Sequence, residues 1–229
     1  MKKRVLVIDV GGSNVKLMIS RRKKRKFKSG PKMTPREMVS RIKTELNGWK
    51  YDAIALGLPA PVNNGCVLTE PKNLGRGWLG FNFGRAFGKP VRIINDAALQ
   101  ALGSYRGGRM LFLGLGTGLG SALVLQNMVL SLELGDLPYR NRRIIEDFLG
   151  KPGIAKLGPK EWERDVVRAV EQLKKSLIAD YVVLGGGNAK KLKTLPDGVE
   201  LGHNRNAFLG GERLWQKEPR TRRPKWRII

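Results

Sequence analysis

The sequence predicts an α/β protein of two related lobes facing a cleft, and three observations carry that prediction. Two short apolar, β-rich runs, residues 4–10 and 109–113, each end in a glycine-rich turn. Each turn is followed by another β-rich run, residues 15–20 and 121–125, so a strand–turn–strand unit occurs twice. Helical patterns alternate with buried-strand patterns around these units, as in α/β folds. The lobe boundary falls near residues 106–109, giving a first lobe of residues 1–107, a second of 108–215 and a basic tail of 216–229.

In chain order, residues 4–10, 15–20 and 26–28 read as a β-meander. Thr34 followed by Glu37 resembles a capping box, and Pro35 suits the first position of a helix running to about Leu46. Residues 52–58 form a buried strand before the Pro59-Ala60-Pro61 turn, and residues 91–94 form another. Asn95 starts a helix to about Tyr105. The 159–178 segment is the longest helical pattern, with Trp162, Val166, Val170 and Leu173 on one stripe. A final strand, residues 180–184, enters Gly185-Gly186-Gly187 and then a helix. Residues 207–215 close the fold, and residues 216–229 read as a poorly ordered tail.

Composition narrows the function classes. The chain has 229 residues, 41% of them hydrophobic, enough for a sizeable core. Its single cysteine, Cys66, excludes an intramolecular disulfide and a cysteine-rich zinc site. No apolar run approaches the roughly 20 residues of a membrane helix, and the N-terminal apolar run is too short for a signal sequence. A cytoplasmic location with no membrane partner is expected. Lys and Arg number 44 against 19 Asp and Glu, a net charge of +25. Such a field attracts polyanions, although a general bias toward basic proteins gives the same number.

The chemistry concentrates in two turns and an acid. Asp9-Val10-Gly11-Gly12-Ser13-Asn14 brings backbone N–H groups and a hydroxyl toward an anion, with Lys16 just beyond. Asp9, at the strand end, suits magnesium held through water. An ordinary hairpin turn is the plain alternative. Gly114-Leu115-Gly116-Thr117-Gly118-Leu119-Gly120 places four glycines at alternate positions. It imitates a dinucleotide fingerprint, but a strand follows it instead of a helix, so a strand–turn–strand phosphate loop fits better. Asp96, at a strand end, is either a helix cap or the general base for an attacking hydroxyl.

These residues resemble the ROK sugar kinases of the actin-like (ribonuclease H-like) ATPase superfamily, over roughly residues 4–215. Val7-Ile8-Asp9-Val10-Gly11-Gly12-Ser13 is similar to the family's first phosphate motif, and residues 114–120 are similar to its second. Residues 57–62, Asn73-Leu74 and Gly77-Trp78 resemble its sugar-side loops, and Asn95-Asp96-Ala97 its catalytic segment. Val183-Leu184-Gly185-Gly186-Gly187 resembles the adenosine motif. Glu133-Leu134-Gly135 and residues 206–211 are similar to the short, zinc-free polyphosphate glucokinase branch.

The resemblance implies a two-lobed kinase with a central cleft that phosphorylates the 6-hydroxyl of a hexose, glucose first, from polyphosphate, ATP or both, with Mg²⁺ and no zinc. Another sugar, such as mannose or an amino sugar, is the alternative acceptor, and a non-catalytic binding relative is a further one. The resemblance makes Asp96 the base. It assigns Asn73, Asn95, Asp96, Glu133 and Glu146 to the sugar, and Gly11, Gly12, Ser13, Asn14, Lys16, Gly116, Thr117, Gly118, Gly185, Gly186 and Gly187 to phosphate or nucleotide. Asp136 stands where the family has histidine in Glu-x-Gly-His, and the only histidine, His203, reads as a loop residue.

Residues 21–28 hold seven cations in eight positions. Strand alternation places their turn at the end opposite the Asp9–Ser13 turn, so a solvated loop away from the cleft is expected. No helix-turn-helix precedes the first strand, and specific DNA binding is not expected. A homodimer is compatible, though no exposed apolar stripe demands one.

Overall fold

The computed structural model describes residues 3–20, 22–203 and 205–229. Met1 and Lys2 of the basic N-terminus, Arg21 of the basic run and Asn204 beside His203 lie outside these.

The first half builds one sheet. Strands β1 (Val5–Val10), β2 (Asn14–Met18) and β3 (Lys24–Lys28) form the meander, followed by helix α1 (Pro35–Glu45) and strand β4 (Ala53–Leu58). The capping box at α1 is complete: Thr34 Oγ1 accepts the Glu37 N–H at 3.3 Å, and the Glu37 carboxylate accepts the Thr34 N–H at 2.9 Å. A two-strand hairpin, β5 (Val62–Asn63) and β6 (Cys66–Val67), precedes α2 (Phe83–Phe87), β7 (Val91–Asn95) and α3 (Asp96–Ser104). The sheet order is β3-β2-β1-β4-β7, antiparallel through the meander and parallel from β1 outward.

The second half repeats that order. Strands β8 (Arg109–Leu115), β9 (Leu119–Leu125) and β10 (Met128–Leu132) form its meander. Helix α4 (Ile145–Leu149), helix α5 (Lys151–Ser176), strands β11 (Tyr181–Gly185) and β12 (Val199–Leu201), helix α6 (Asn206–Leu214) and strand β13 (Arg227–Ile228) follow. The sheet runs β12-β11-β8-β9-β10-β13. Counted from β10 to β12, it matches the first sheet in order and in strand direction.

The core explains why the halves stay together. α3 and α6 lie between the sheets and share one apolar cluster with Val7 and Ala55 of the first and Phe112, Val124 and Val183 of the second. A second cluster packs α1 and α2 against the outer face of the first sheet, and a third packs α4 and α5 against the second. Trp162, Val166, Val170 and Leu173 all face that third cluster, as their spacing requires. The expected helix from Pro159 is present, and a shorter helical stretch from Lys151, not expected from the sequence, leads into it; Gly158, at φ 75° and ψ 165°, separates the two within α5.

Two further expectations are corrected. After Gly187 the chain makes only a single short turn, Ala189–Lys191, where a helix was expected. The tail is not loose. β13 pairs in parallel with β10, Trp226 is buried, and its ring meets Tyr105 edge-on at 5.7 Å. An apolar Trp-Arg-Ile-Ile end among cations supplies the buried side chain and the ladder hydrogen bonds that anchor it.

Candidate active site

The two matching meanders bring their turns to the space between the sheets. In each turn one glycine N–H closes the turn itself: Gly11 donates to the Asn14 carbonyl at 2.9 Å, and Gly116 to the Gly118 carbonyl at 3.0 Å. Sequence reasoning assigned those two N–H groups to phosphate, and the turns have already engaged them. The neighbouring N–H groups of Gly12, Ser13, Thr117 and Gly118 have no acceptor among the described residues, and neither do those of Gly186 and Gly187. Three loops thus present unpaired donors, the arrangement that binds anions. Asn188, which the sequence did not flag, ties two of these loops together. Its N–H donates to the Leu115 carbonyl at 2.9 Å and its Nδ2 to the Gly116 carbonyl at 2.8 Å.

The glycines of residues 114–120 do not all serve an anion. A side chain at Gly118 would collide with the Glu146 carboxylate, and one at Gly120 would come within 2.9 Å of the Ala97 methyl. Both make room for packing, whereas Gly116 faces open space. Packing therefore accounts for Gly118 and Gly120 but not for Gly116. Gly186 has a left-handed φ of 81°.

A cavity of about 1010 Å³ opens between the sheets. Asp9 and Lys16 stand on its wall from the first half, and Gly185, Gly186, Gly187 and Lys190 face them from the second. Lys16 reaches back across the strand pair: its Nζ donates to Asp9 Oδ2 at 2.9 Å. That contact raises the lysine's pKa, through the Asp9 charge first. His203 also lines this cavity, although its loop position gave no sign of it.

Asp96 is the first residue of α3, and the structure separates it from the capping role left open by the sequence. The cap is Asn95, whose Oδ1 accepts the N–H groups of Ala97 at 2.9 Å and Ala98 at 3.1 Å. Asn95 Nδ2 donates to the Ala60 carbonyl at 3.2 Å, fixing the Pro59-Ala60-Pro61 turn beside the helix start. Asp96 Oδ1 also accepts the Ala97 N–H, at 2.8 Å, but Asn95 engages that same group and Ala98 besides, so the cap does not depend on the Asp96 carboxyl. Burial, and then the charge of Asp9, push its pKa up to about 7. A carboxyl in that range is half ionised at neutral pH, where a general base works best.

Asp96 is also within reach of an acidic group. Glu133 is within electrostatic reach of Asp96, and Asp136 and Glu146 are within reach of Glu133. Burial first, then Asp136, raises the Glu133 carboxyl above its ordinary range. Ser121 sets the backbone here: its hydroxyl donates to the Leu132 carbonyl at 2.7 Å and accepts the Leu134 N–H at 3.1 Å, holding the residues on both sides of Glu133. The Glu146 Oε2 accepts the Leu119 N–H at 2.9 Å and so braces the second turn. Asn73 packs against Gly12, where an added Cβ would come within 3.0 Å of the Asn73 Cβ.

Asp136 is paired, which the sequence did not show. Lys72 Nζ donates to Asp136 Oδ1 at 2.9 Å and Oδ2 at 3.3 Å, joining a loop of the first half to the second. Lys72 also lies within reach of Glu133 and Glu146 and offsets the like charge of the acidic group. Lys72→Ala is therefore expected to lower stability by no more than about 1 kcal/mol, the scale of an exposed ion pair. Denaturant titration would check this, and a loss well beyond that scale would contradict it.

The 21–28 run departs most from expectation. β3 begins at Lys24, so its cations sit on a strand rather than in a turn, and Lys24, Arg25 and Lys26 line the cavity. Among the described residues no group of three or more His, Cys, Asp or Glu is placed to hold a metal ion. Among the described residues no helix is long and apolar enough to cross a membrane.

No family model matches the chain, and no curated protein does. Solved structures do. The inorganic polyphosphate/ATP-glucomannokinase of Arthrobacter sp. strain KM is 20% identical, with 91% of this chain and 96% of that one covered and a TM-score of 0.78. A ROK family glucokinase from Streptomyces griseus, solved with glucose and AMPPNP, is 15% identical over 92% and 98%, with a TM-score of 0.73. A ROK family transcriptional regulator, homologous to the E. coli MLC protein, is 16% identical over 92% and 77%, with a TM-score of 0.69. The chain has the actin-like fold these proteins share. That fold carries kinases and a regulator alike, so function has to be argued from the site.

Proposed function

We propose that the protein is a sugar kinase, transferring a phosphoryl group from polyphosphate or ATP to the 6-hydroxyl of a hexose, with glucose the first acceptor to try. One observation carries this reading. Asp96, with a pKa near 7, is within electrostatic reach both of Asp9 and Lys16 on the wall of an anion cavity and of Glu133 in the acidic group. A donor phosphate on one side and a sugar on the other would meet at that carboxylate.

In this reading Glu133, Glu146, Asp136 and the second N–H of the Asn95 amide hold sugar hydroxyls, and Asp96 accepts the proton of the attacking one. The new O–P bond forms as the bond from phosphorus to the leaving phosphate oxygen breaks. Lys16 and the unpaired N–H groups of Gly12, Ser13, Thr117 and Gly118 take up the charge on the phosphoryl oxygens, which is most of what such a transfer asks of a protein. Asp9 fits magnesium held through water, since Lys16 engages one carboxylate oxygen and no donor among the described residues engages the other. The ion's contribution there is to neutralise phosphate charge. Gly185, Gly186 and Gly187 line the cavity where a nucleotide donor would place its base and ribose.

A donor-by-acceptor matrix tests the proposal: ATP and polyphosphate against glucose, mannose and N-acetylmannosamine, with Mg²⁺. Transfer from at least one donor to at least one sugar is the expected outcome. Absence of transfer across the whole matrix, from protein shown to be folded, would overturn it.

A further inference from the structure

The face that β3 turns toward the cavity is a row of lysines. Residues directly opposite one another in an antiparallel pair share a face. Asp9 lies opposite Lys16, and Lys16 opposite Lys26, so the acid and two lysines form one row across three strands. Val7, Met18 and Lys24 form the next row, and Lys28 lies opposite Asn14. The alternate residues, Arg25 and Phe27, turn to the other face, where Arg25 meets Glu45 and Trp49 and Phe27 joins the core. Lys24, Lys26 and Lys28 therefore share the face of Asp9 and Lys16, with a cation about every 7 Å along the strand.

These lysines are uncommitted. All three are exposed, and none has an ion-pair partner among the described residues, whereas Lys16 is held by Asp9. Lys24 and Lys26 line the same cavity as Asp9 and Gly185–Gly187, so the row leads outward from the place where a transferable phosphate would sit. A nucleoside triphosphate ends after three phosphates. A charge row of this length on an edge strand suits a longer linear chain of phosphates.

The geometry points to β3 as a track for inorganic polyphosphate: Lys24 and Lys26 hold the phosphates upstream of the one presented at Asp9 and Lys16, with Lys28 on the same face. The assignment of the transferring end rests on the kinase reading above, but binding along the track does not.

The test compares two variants of equal formal charge. Lys24→Ala/Lys26→Ala removes two cations from the track, and Lys217→Ala/Arg220→Ala removes two from the tail, whose residues do not line the cavity; each takes the net charge from +25 to +23. Binding of a labelled polyphosphate of defined length, several tens of phosphates, is read by fluorescence anisotropy across a salt series. The track variant is expected to bind about tenfold or more weakly, with its salt slope reduced by roughly 1.5, the share of two lysine–phosphate contacts. The tail variant is expected to bind as the parent does.

Equal weakening in both variants would show a net-charge effect only and overturn the track, as would no weakening in either. A single-stranded DNA of matched charge serves as competitor. DNA binding as tight as polyphosphate binding and equally lost in the track variant would also overturn it, by making the row a general polyanion surface. In transfer assays, the track variant is expected to raise the polyphosphate KM at least tenfold and to leave the ATP KM within twofold. If the parent transfers from no donor, the kinase reading fails, and the anisotropy result still decides the track.

Discussion

Asp96→Asn is expected to lower phosphoryl transfer by about 10²- to 10⁴-fold while donor binding persists and the folded protein becomes more stable at alkaline pH. The kinetic half follows from the base role proposed for a carboxyl within electrostatic reach of Asp9, Lys16 and Glu133, since a positioned general base contributes on that scale. The stability half follows from its environment. Burial and Asp9 disfavour the ionised form, so the native state holds the Asp96 proton up to about pH 7, whereas the unfolded chain releases it near the ordinary value of 3.8. Stability therefore falls as pH rises between those values, and above about pH 7 the full cost of the buried charge is present.

Asparagine has the same shape and no charge, and the cap of α3 belongs to Asn95, so the substitution removes that cost without removing the cap. The gain is at most about 4 kcal/mol above pH 7 and vanishes below about pH 4. Denaturant titrations of parent and variant at pH 8 and pH 4 check the sign. Turnover within tenfold of the parent would end the assignment of Asp96 as base, and a variant less stable than the parent at pH 8 would end the account of its environment. The same displacement predicts the pH profile of the parent. With Asp96 required as the anion, kcat/KM is expected to rise about tenfold per pH unit below 7 and to level off above it.

Legibility in the sequence followed the reach of each signal. Local chemistry was readable: the Thr34–Glu37 capping box, the Trp162–Leu173 stripe and the two glycine turns all express short-range rules. β10 was missed because the residue that opens its hairpin is Gln126, at a φ of 51° where glycine is the usual signal. The full extent of β3 was missed because lysine and arginine are poor strand formers by propensity, although cations are a common way to protect a sheet edge. That shortening moved the basic run into a turn and away from the cavity. The contacts that complete the site, Lys72 with Asp136, Ser121 with the backbone around Glu133, and Asn188 with the second turn, join segments whose proximity exists only once the halves have folded. Asp9, Asp96 and Glu133 could be singled out because each sits in a short recognisable motif; which N–H groups of the glycine turns stay unpaired could not be read, because that depends on how each turn closes on itself.

Gly210→Ala is expected to destabilise the protein strongly, against the ordinary preference of helices for alanine. Propensity alone favours alanine over glycine inside a helix by up to about 1 kcal/mol. Gly210 lies within α6, yet a Cβ there would collide with the Leu99 carbonyl of α3, and a Cβ on Gly103 of α3 would collide with the Asn206 carbonyl of α6. The two helices thus cross backbone against backbone. The obstacle is main chain, so no rotamer change relieves it and one helix must move. Movement has consequences at both ends of α3. Arg213 of α6 donates to the carbonyls of Leu102 at 2.6 Å and Tyr105 at 2.8 Å, bonds that a shift would stretch. At the other end α3 begins with Asp96, whose neighbour Ala97 packs closely against Gly120 after the second turn. Overpacking of this kind costs about 3 kcal/mol or more, a fall in Tm on the order of 6–12 °C for a chain of this size. Gly116→Ala is the contrast: its added methyl meets nothing within 4 Å, so Tm is expected to stay near the parent's. A Gly210→Ala protein that melts at or above the parent's temperature would show that the crossing has slack, and that helices α3 and α6 are not what holds Asp96 in register with the turns of both halves.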